Sequence, residues 1–231
     1  SFSACWSDMA VPGSVLGMSR RLQALIASIG EQPPSSLSQL ERCVADAQLV
    51  EQDLLPWADF RHPVEDSYGR RLIWKSDFVE LMVMSWIPGD FSAIHDHGTA
   101  HWGVVQSFGP ATHSLFRLHG SQLEFDRQSD YRPGQIQTVD HRLIHQMGNA
   151  SGTPFVSLHV YAALQPMATI TANARVFDVV EGVIQFTDGG VFFALPDAQV
   201  KRQISGLKAT PSLVSDQRRL RDARLQVMAH A

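Results

Sequence analysis

The stretch Trp86–Gly109 reads WIPGDFSAIHDHGTAHWGVVQSFG, and its reading decides the fold. A proline-glycine turn at Pro88 and Gly89 is followed by His95-x-His97, then by an apolar run closing on Gly109. Residues i and i+2 of a β-strand share a face, so a strand through this motif presents the His95 and His97 imidazoles side by side. Two neutral imidazoles so placed can share a metal ion. A bare His-x-His is equally the mark of two surface histidines in a polar loop. The context weighs against that: Tyr68-x-Arg70 stands upstream, and His145-x3-Asn149 and Ser157-x-His159-x-Tyr161 stand downstream.

The bulk composition narrows the classes. A chain of 231 residues suits one domain, or one domain with an added piece at an end. The formal net charge of −4 gives no electrostatic case for a nucleic acid or an anionic membrane as partner. No apolar run is long enough to span a bilayer, and no signal-peptide pattern is evident. The two cysteines, Cys5 and Cys43, argue against a disulfide scaffold and fit a reducing, cytoplasmic compartment. Most of the ten histidines fall between His95 and His159, where there is no cysteine to act as ligand or nucleophile.

Around the central stretch the chain changes character twice. Residues 1–14 read as an irregular lead. From Ser14, Val15, Leu16, Met18, Leu22, Leu25, Ile26 and Ile29 recur at helical spacing until Gly30 and Pro33–Pro34 stop the helix. A second helix is expected from about Ser36, and a short third from Asp53 to Trp57. Residues 1–66 are therefore expected as a helical N-terminal cap. From Tyr68, short strand-like runs follow at 70–76, 78–86, 102–108, 112–118, 122–126, 135–140 and 155–161. Two more are expected at 174–187 and 191–195, split by a hairpin at Asp188-Gly189-Gly190. Closely spaced strands with turn punctuation predict a mainly β sandwich or barrel over 67–195. The tail, 196–231, is expected to hold a charged, solvated helix over 212–228.

A His95–His97 pair needs a third ligand, and His101, His113, His119, His141, His145 and His159 are all available by sequence. Here the chain resembles the cupin signature. Its first half has Gly89, His95-x-His97 and Gly109; its second has Gly134, His145 and Asn149. Cupins ordinarily add a glutamate ligand four or five residues after the second histidine, where this chain has His101 and Trp102. More specifically, 68–195 resembles the cysteine dioxygenase family of thiol dioxygenases. Three blocks carry the resemblance: YGRRL at 68–72, IHDHG at 94–98, and HQMGN with SLHVY at 145–149 and 157–161.

The resemblance implies a cupin, a small jelly-roll β-barrel, with Fe(2+) held by His95, His97 and His145. It implies a small-molecule thiol and O2 as partners, and oxidation of L-cysteine to cysteine sulfinate. Three imidazoles on one face of an ion leave the opposite face open, and a site without a carboxylate stays positive enough to favour a thiolate. Arg70 and Arg71 are adjacent, so only one can point into a barrel. The family motif implies Arg70, two residues after Tyr68, as the substrate-carboxylate ligand. Ser157, His159 and Tyr161 share one strand face, with Leu158 and Val160 on the other. The resemblance implies a hydrogen-bonded relay whose tyrosine hydroxyl reaches the substrate or oxygen.

Counted without gaps, the place of the family's crosslinked cysteine falls on Trp102. Either Trp102 faces the pocket and contacts substrate, or a one-residue shift puts Gly103 there. His113 and His119 are expected at the surface, His101 near the mouth of the site, and His141 either at the pocket rim or in solvent. Asp96 alternates away from the histidines. Arginine at position 70 favours an α-amino acid thiol over 3-mercaptopropionate. A metal-binding cupin without turnover, and an isomerase or metal hydrolase on the same barrel, are the alternatives from other classes. The oligomeric state is not legible.

Overall fold

Strands β2 (Val79–Trp86) and β8 (Phe155–Ala162) are buried at every position, which requires a layer of structure against each of their faces. The computed structural model describes residues 17–30 and 32–230, and those layers can be followed directly. The irregular lead, Cys5, Val15 and Leu16 lie outside the described residues.

The first sheet has the order β1 (Gly69–Lys75), β2, β8, β3 (Trp102–Ser107), β6 (Ile136–Asp140), antiparallel throughout. Its register divides the side chains cleanly. Leu81, Val83, Val104, Leu158, Val160 and Ala162 pack outward on Leu22 and Leu25 of α1 (Arg20–Ile29) and Leu40 and Val44 of α2 (Leu37–Asp46). The alternate residues, among them Met82, Met84, Val105 and Tyr161, form the barrel interior. The helices begin where serine can accept a free amide: Ser19 Oγ from Leu22 N, and Ser36 Oγ from Gln39 N. A short α3 (Glu51–Leu54) and a 3₁₀ turn (Leu55–Trp57) complete this cap, with Leu54 and Trp57 in the same core.

The second sheet is assembled from two pieces: β12 (Lys208–Ala209), β5 (Gln122–Gln128), β4 (Thr112–His119) and β7 (Ile144–Gly148), and β11 (Arg202–Ser205), β10 (Val183–Thr187) and β9 (Ala174–Asp178). The central stretch joins them. His95 forms bridges with both His145 on β7 and Val176 on β9. The two sheets face each other as a mainly β cupin barrel with an N-terminal helical cap. A C-terminal helix, α4 (Pro211–Ala229), lies on the outer face of the second sheet, where Leu213 packs with Ile94, Ile144 and Phe177.

Several expectations are corrected. Residues 174–187 are two strands, turned at Val179–Gly182, where Gly182 has φ +69°. Asp188-Gly189-Gly190 is no hairpin and 191–195 form no strand. Asp188 instead accepts from Asn173 N and Lys201 Nζ, and the Val191 carbonyl accepts from Ala93 N. Strands β11 and β12 lie beyond Leu195. The residues of β11 are exposed, so no alternation betrays that strand in the sequence. The charged helix is docked, not solvated: Leu213 and Gln217 are buried, and Arg224 reaches the Asp90 carboxylate and the Asp66 carbonyl.

Candidate metal centre

Backbone pairing creates the site. His95 and His145 exchange both amide–carbonyl hydrogen bonds at 2.9 Å, so they are direct cross-strand neighbours with side chains on one face. His97 follows two residues on. The three imidazoles converge: His145 Nε2 is 3.2 Å from His95 Nε2 and 3.1 Å from His97 Nε2, all of them buried.

The tautomers follow from the outward nitrogens. His95 Nδ1 donates to the Ala93 carbonyl at 2.8 Å, so its Nε2 carries the lone pair. His113 Nδ1 donates to the Ser129 carbonyl at 3.1 Å, which leaves His113 Nε2 as an acceptor 2.7 Å from His145 Nδ1. His145 therefore holds its proton on Nδ1 too, and its Nε2 faces inward unprotonated. Neither ring has a proton to place in the gap between them. Lone pairs this close repel unless a cation lies among them, and separations of 3.1–3.2 Å suit neighbouring donors of an ion with bonds of about 2.1 Å. Burial holds the His95 pKa down to about 4. Burial and then the neighbouring imidazoles push His97 and His145 well below the usual histidine range. The trio is neutral and fits a divalent cation.

Asp96 turns away as expected. Its carboxylate accepts from Arg175 Nε at 2.6 Å and from the amides of Gly98 and Arg175. Asn149 fixes the end of β7 by donating to the carbonyls of Trp86 and Thr153.

The opposite wall of the cavity comes from the first sheet. Arg70, Met82 and Met84 line it. Among the described residues Arg70 has no hydrogen-bond or ion-pair partner, whereas Arg71 points outward toward Asp59, 3.9 Å away. Tyr68 also lines the cavity, but its hydroxyl accepts from Val191 N at 3.1 Å and its ring stacks on Trp86 at 4.9 Å.

Ser157, His159 and Tyr161 form a continuous chain. Trp86 Nε1 donates to Ser157 Oγ at 2.9 Å, Ser157 Oγ lies 2.8 Å from His159 Nε2, and His159 Nδ1 lies 3.0 Å from the Tyr161 hydroxyl oxygen. One proton order satisfies every member. With Trp86 donating to the serine oxygen, the buried serine proton needs an acceptor, and His159 Nε2 is the one in reach. His159 then donates from Nδ1 to the tyrosine oxygen, and the Tyr161 proton is left free. Burial keeps His159 neutral, with its pKa lowered to about 3. The Tyr161 ring lies 4.9 Å from that of His97.

Trp102 does not line the cavity, contrary to the gap-free count. It pairs with Ala162 on the outward face of the first sheet and packs into the helical core. Gly103 pairs with Tyr161 and faces inward; a Cβ there would come within 2.9 Å of Tyr161 Cδ1. His113, expected at the surface, is 1% exposed. His119 and His141 are exposed, and His141 stacks parallel to His101 at 5.5 Å.

Two further residues gave no sequence signal. His62 lies 2.9 Å from Asp90 through Nε2 and 3.0 Å from the Pro63 carbonyl through Nδ1. Burial works to lower its pKa, but the Asp90 carboxylate and the Pro63 carbonyl outweigh it and the pKa is raised. Both ring nitrogens face acceptors, the arrangement of an imidazolium. Gln217 of α4 exchanges two amide hydrogen bonds with Gln146, next to His145. Neither contact falls inside a local motif.

Human and Pongo abelii cysteine dioxygenase type 1 are each 28% identical over 129 residues, covering 53% of this chain and 64% of the relative. The matched region thus spans somewhat less than two thirds of those proteins. Among solved structures, the chain is similar to an uncharacterised conserved protein with a double-stranded β-helix domain from Klebsiella pneumoniae (15% identity, TM-score 0.34, 43% of this chain and 80% of that one). It is also similar to a cupin domain from Bordetella pertussis (17% identity, TM-score 0.33, 41% of this chain and 92% of that one). Among the described residues no helix is long and apolar enough to cross a membrane. The family profile described as cysteine dioxygenase type I matches residues 36–176, more than half of the sequence and all three converging histidines, so the chain belongs to that family.

Proposed function

We propose that this chain is an iron(II)-dependent thiol dioxygenase that converts a small thiol, L-cysteine as the leading substrate, to its sulfinate. The sulfur gains both atoms of O2, dioxygen takes up the four electrons, and the thiol proton is released. The observation that carries this reading is the facing of three neutral Nε2 donors by an unpartnered guanidinium, Arg70, and a tyrosine hydroxyl, Tyr161, across one cavity.

His95, His97 and His145 are the proposed ligands. Three imidazoles also suit nickel, cobalt or zinc, and the choice of iron rests on the family. Bound there, iron(II) supplies the Lewis acidity that deprotonates a thiol and the redox chemistry that O2 requires. The other roles belong to the chain. Arg70 offers a two-pronged donor to a carboxylate, which suits an amino acid thiol. The relay Ser157–His159–Tyr161, begun by Trp86, holds a free hydroxyl proton toward the reacting atoms. Tyr68 stacks on Trp86 and accepts from Val191 N, so its hydroxyl proton, like that of Tyr161, is left free for a bound substrate. Gly103 takes the place expected for Trp102 and leaves room beside Tyr161. Cys43, the free thiol among the described residues, fits the expected cytoplasmic setting.

The test is oxygen uptake by the iron(II)-loaded protein with L-cysteine and, in parallel, with 3-mercaptopropionate. Uptake with cysteine, matched by an equal yield of cysteine sulfinate, supports the whole reading. Uptake with the other thiol alone keeps the reaction and removes the assigned substrate. Metal binding without uptake from either overturns the enzymatic reading and leaves a metal-binding cupin.

A further inference from the structure

His113 stands apart among the residues around the centre. It lies on β4, is 1% exposed, and does not itself line the cavity, yet its Nε2 is 2.7 Å from the outward nitrogen of His145. It is itself held on both sides. Its Nδ1 donates to the Ser129 carbonyl, its amide donates to Asp130 Oδ1 at 2.8 Å, and its ring packs 5.1 Å from that of Tyr131. The three converging imidazoles differ in what orients them. His95 uses the carbonyl of Ala93, two residues back. His97 Nδ1 is buried with no partner among the described residues. Only His145 depends on a side chain from another strand.

We propose that His113 is a positioning residue for the metal centre: as an Nδ1–H tautomer it accepts the His145 Nδ1 proton, fixing which nitrogen of His145 faces the metal and in which direction. The inference rests on reading His95, His97 and His145 as metal ligands. The partner of a metal-bound histidine is commonly a carboxylate, a backbone carbonyl or water, and its loss typically costs 10- to 100-fold in metal affinity. An imidazole acceptor orients the ring while adding no negative charge. The centre then keeps the full charge of a divalent ion for anionic ligands, which a carboxylate at position 113 would partly cancel.

The experiment compares His113→Gln with His113→Met in the whole chain. The two side chains are close in length and volume, but only glutamine offers an oxygen acceptor to the His145 N–H. Cobalt(II) affinity is measured by competition with a chelator, and the cobalt electronic spectrum is recorded. Glutamine should keep affinity within a few-fold of the parent, with the parent spectrum. Methionine should lose roughly 10- to 100-fold, with a shifted spectrum. Equal behaviour of the two variants overturns the proposal, whether both resemble the parent or both are weak. Independently of any variant, two-bond proton–nitrogen correlation on the zinc-loaded parent should show His113 as the Nδ1–H tautomer. An Nε2–H tautomer at His113 overturns the proposal even if both variants fail to fold. Failure of the parent to bind cobalt or zinc would instead overturn the ligand assignment.

Discussion

The two inner faces of the barrel are ordered in opposite senses. On the second sheet the imidazole protons of His95 and His145 point away from the cavity, to the Ala93 carbonyl and to His113, so lone pairs converge inside. On the first sheet the chain Trp86, Ser157, His159, Tyr161 passes its protons toward the cavity, so a donor is left inside. On the proposed reading, one wall holds a cation and the other gives a proton or holds an anion. Each polarity is set by a residue outside the cavity's chemistry: a backbone carbonyl and a histidine on one side, a tryptophan N–H on the other. A barrel thus acquires a direction across its interior that the ligand list alone does not convey.

Removing a lone pair from the cation-holding wall should have the largest effect. His97→Ala, or the same change at His95 or His145, should abolish retention of iron after loading and desalting, read by elemental analysis. The same wall governs stability in acid. Burial lowers the His95 pKa to about 4, below its unfolded value near 6.5. The metal-free protein should therefore lose stability as pH falls from 6.5 toward 4, because the unfolded chain binds the proton first.

On the donor wall, Tyr161→Phe should keep its iron and lose turnover by roughly 10²- to 10⁴-fold, the range for a positioned proton donor. Equal loss of iron would erase the distinction between the walls. Next comes Arg70→Ala. Losing a charge-assisted pair should weaken apparent thiol affinity roughly 10- to 100-fold with metal content unchanged. Trp86→Phe is the finer probe. It removes the donor that orders the relay and should slow turnover about tenfold, less than Tyr161→Phe, because the reversed proton order is then also accessible. Rates equal to the parent would show that Trp86 does not set the direction.

The smallest effect concerns a histidine of the opposite kind. His62 is raised above its unfolded pKa by Asp90 and the Pro63 carbonyl, against burial and with Arg224 nearby. Its contribution is present below pH 6.5 and is lost as pH rises through the folded value. Chemical denaturation of the metal-free protein should show a shallow decline as pH rises above 6.5 that His62→Gln flattens.

Much of this was legible in the sequence, for local reasons. Alternation along β8 marks that strand, short runs bounded by turn residues mark β2 and β3, Gly30 and Pro33–Pro34 mark a helix end, and the spacing of His95 and His97 places two imidazoles on one face. Ser157, His159 and Tyr161 share a face by the same period of two. Other features failed for equally physical reasons. Strand β7 is five residues long and fully buried, with neither alternation nor flanking apolar length to announce it. Strand β11 is exposed at every position and is held by pairing with β10. A single residue of register decides whether Trp102 or Gly103 faces Tyr161, and counting along a sequence does not fix register across strands.

The sequence by itself determined the alternation, the turns and the local motifs, because those depend on neighbours within a few residues. It was sufficient for a β barrel with a histidine centre and an arginine on its inner face. Only the tertiary structure decided what lies behind each of these residues. His113 meets His145 across 32 positions, Trp86 meets Ser157 across 71, and Arg224 meets Asp90 across 134. Partners so far apart are joined by strand pairing and helix docking, and a hydrogen bond between them leaves no periodicity in the chain.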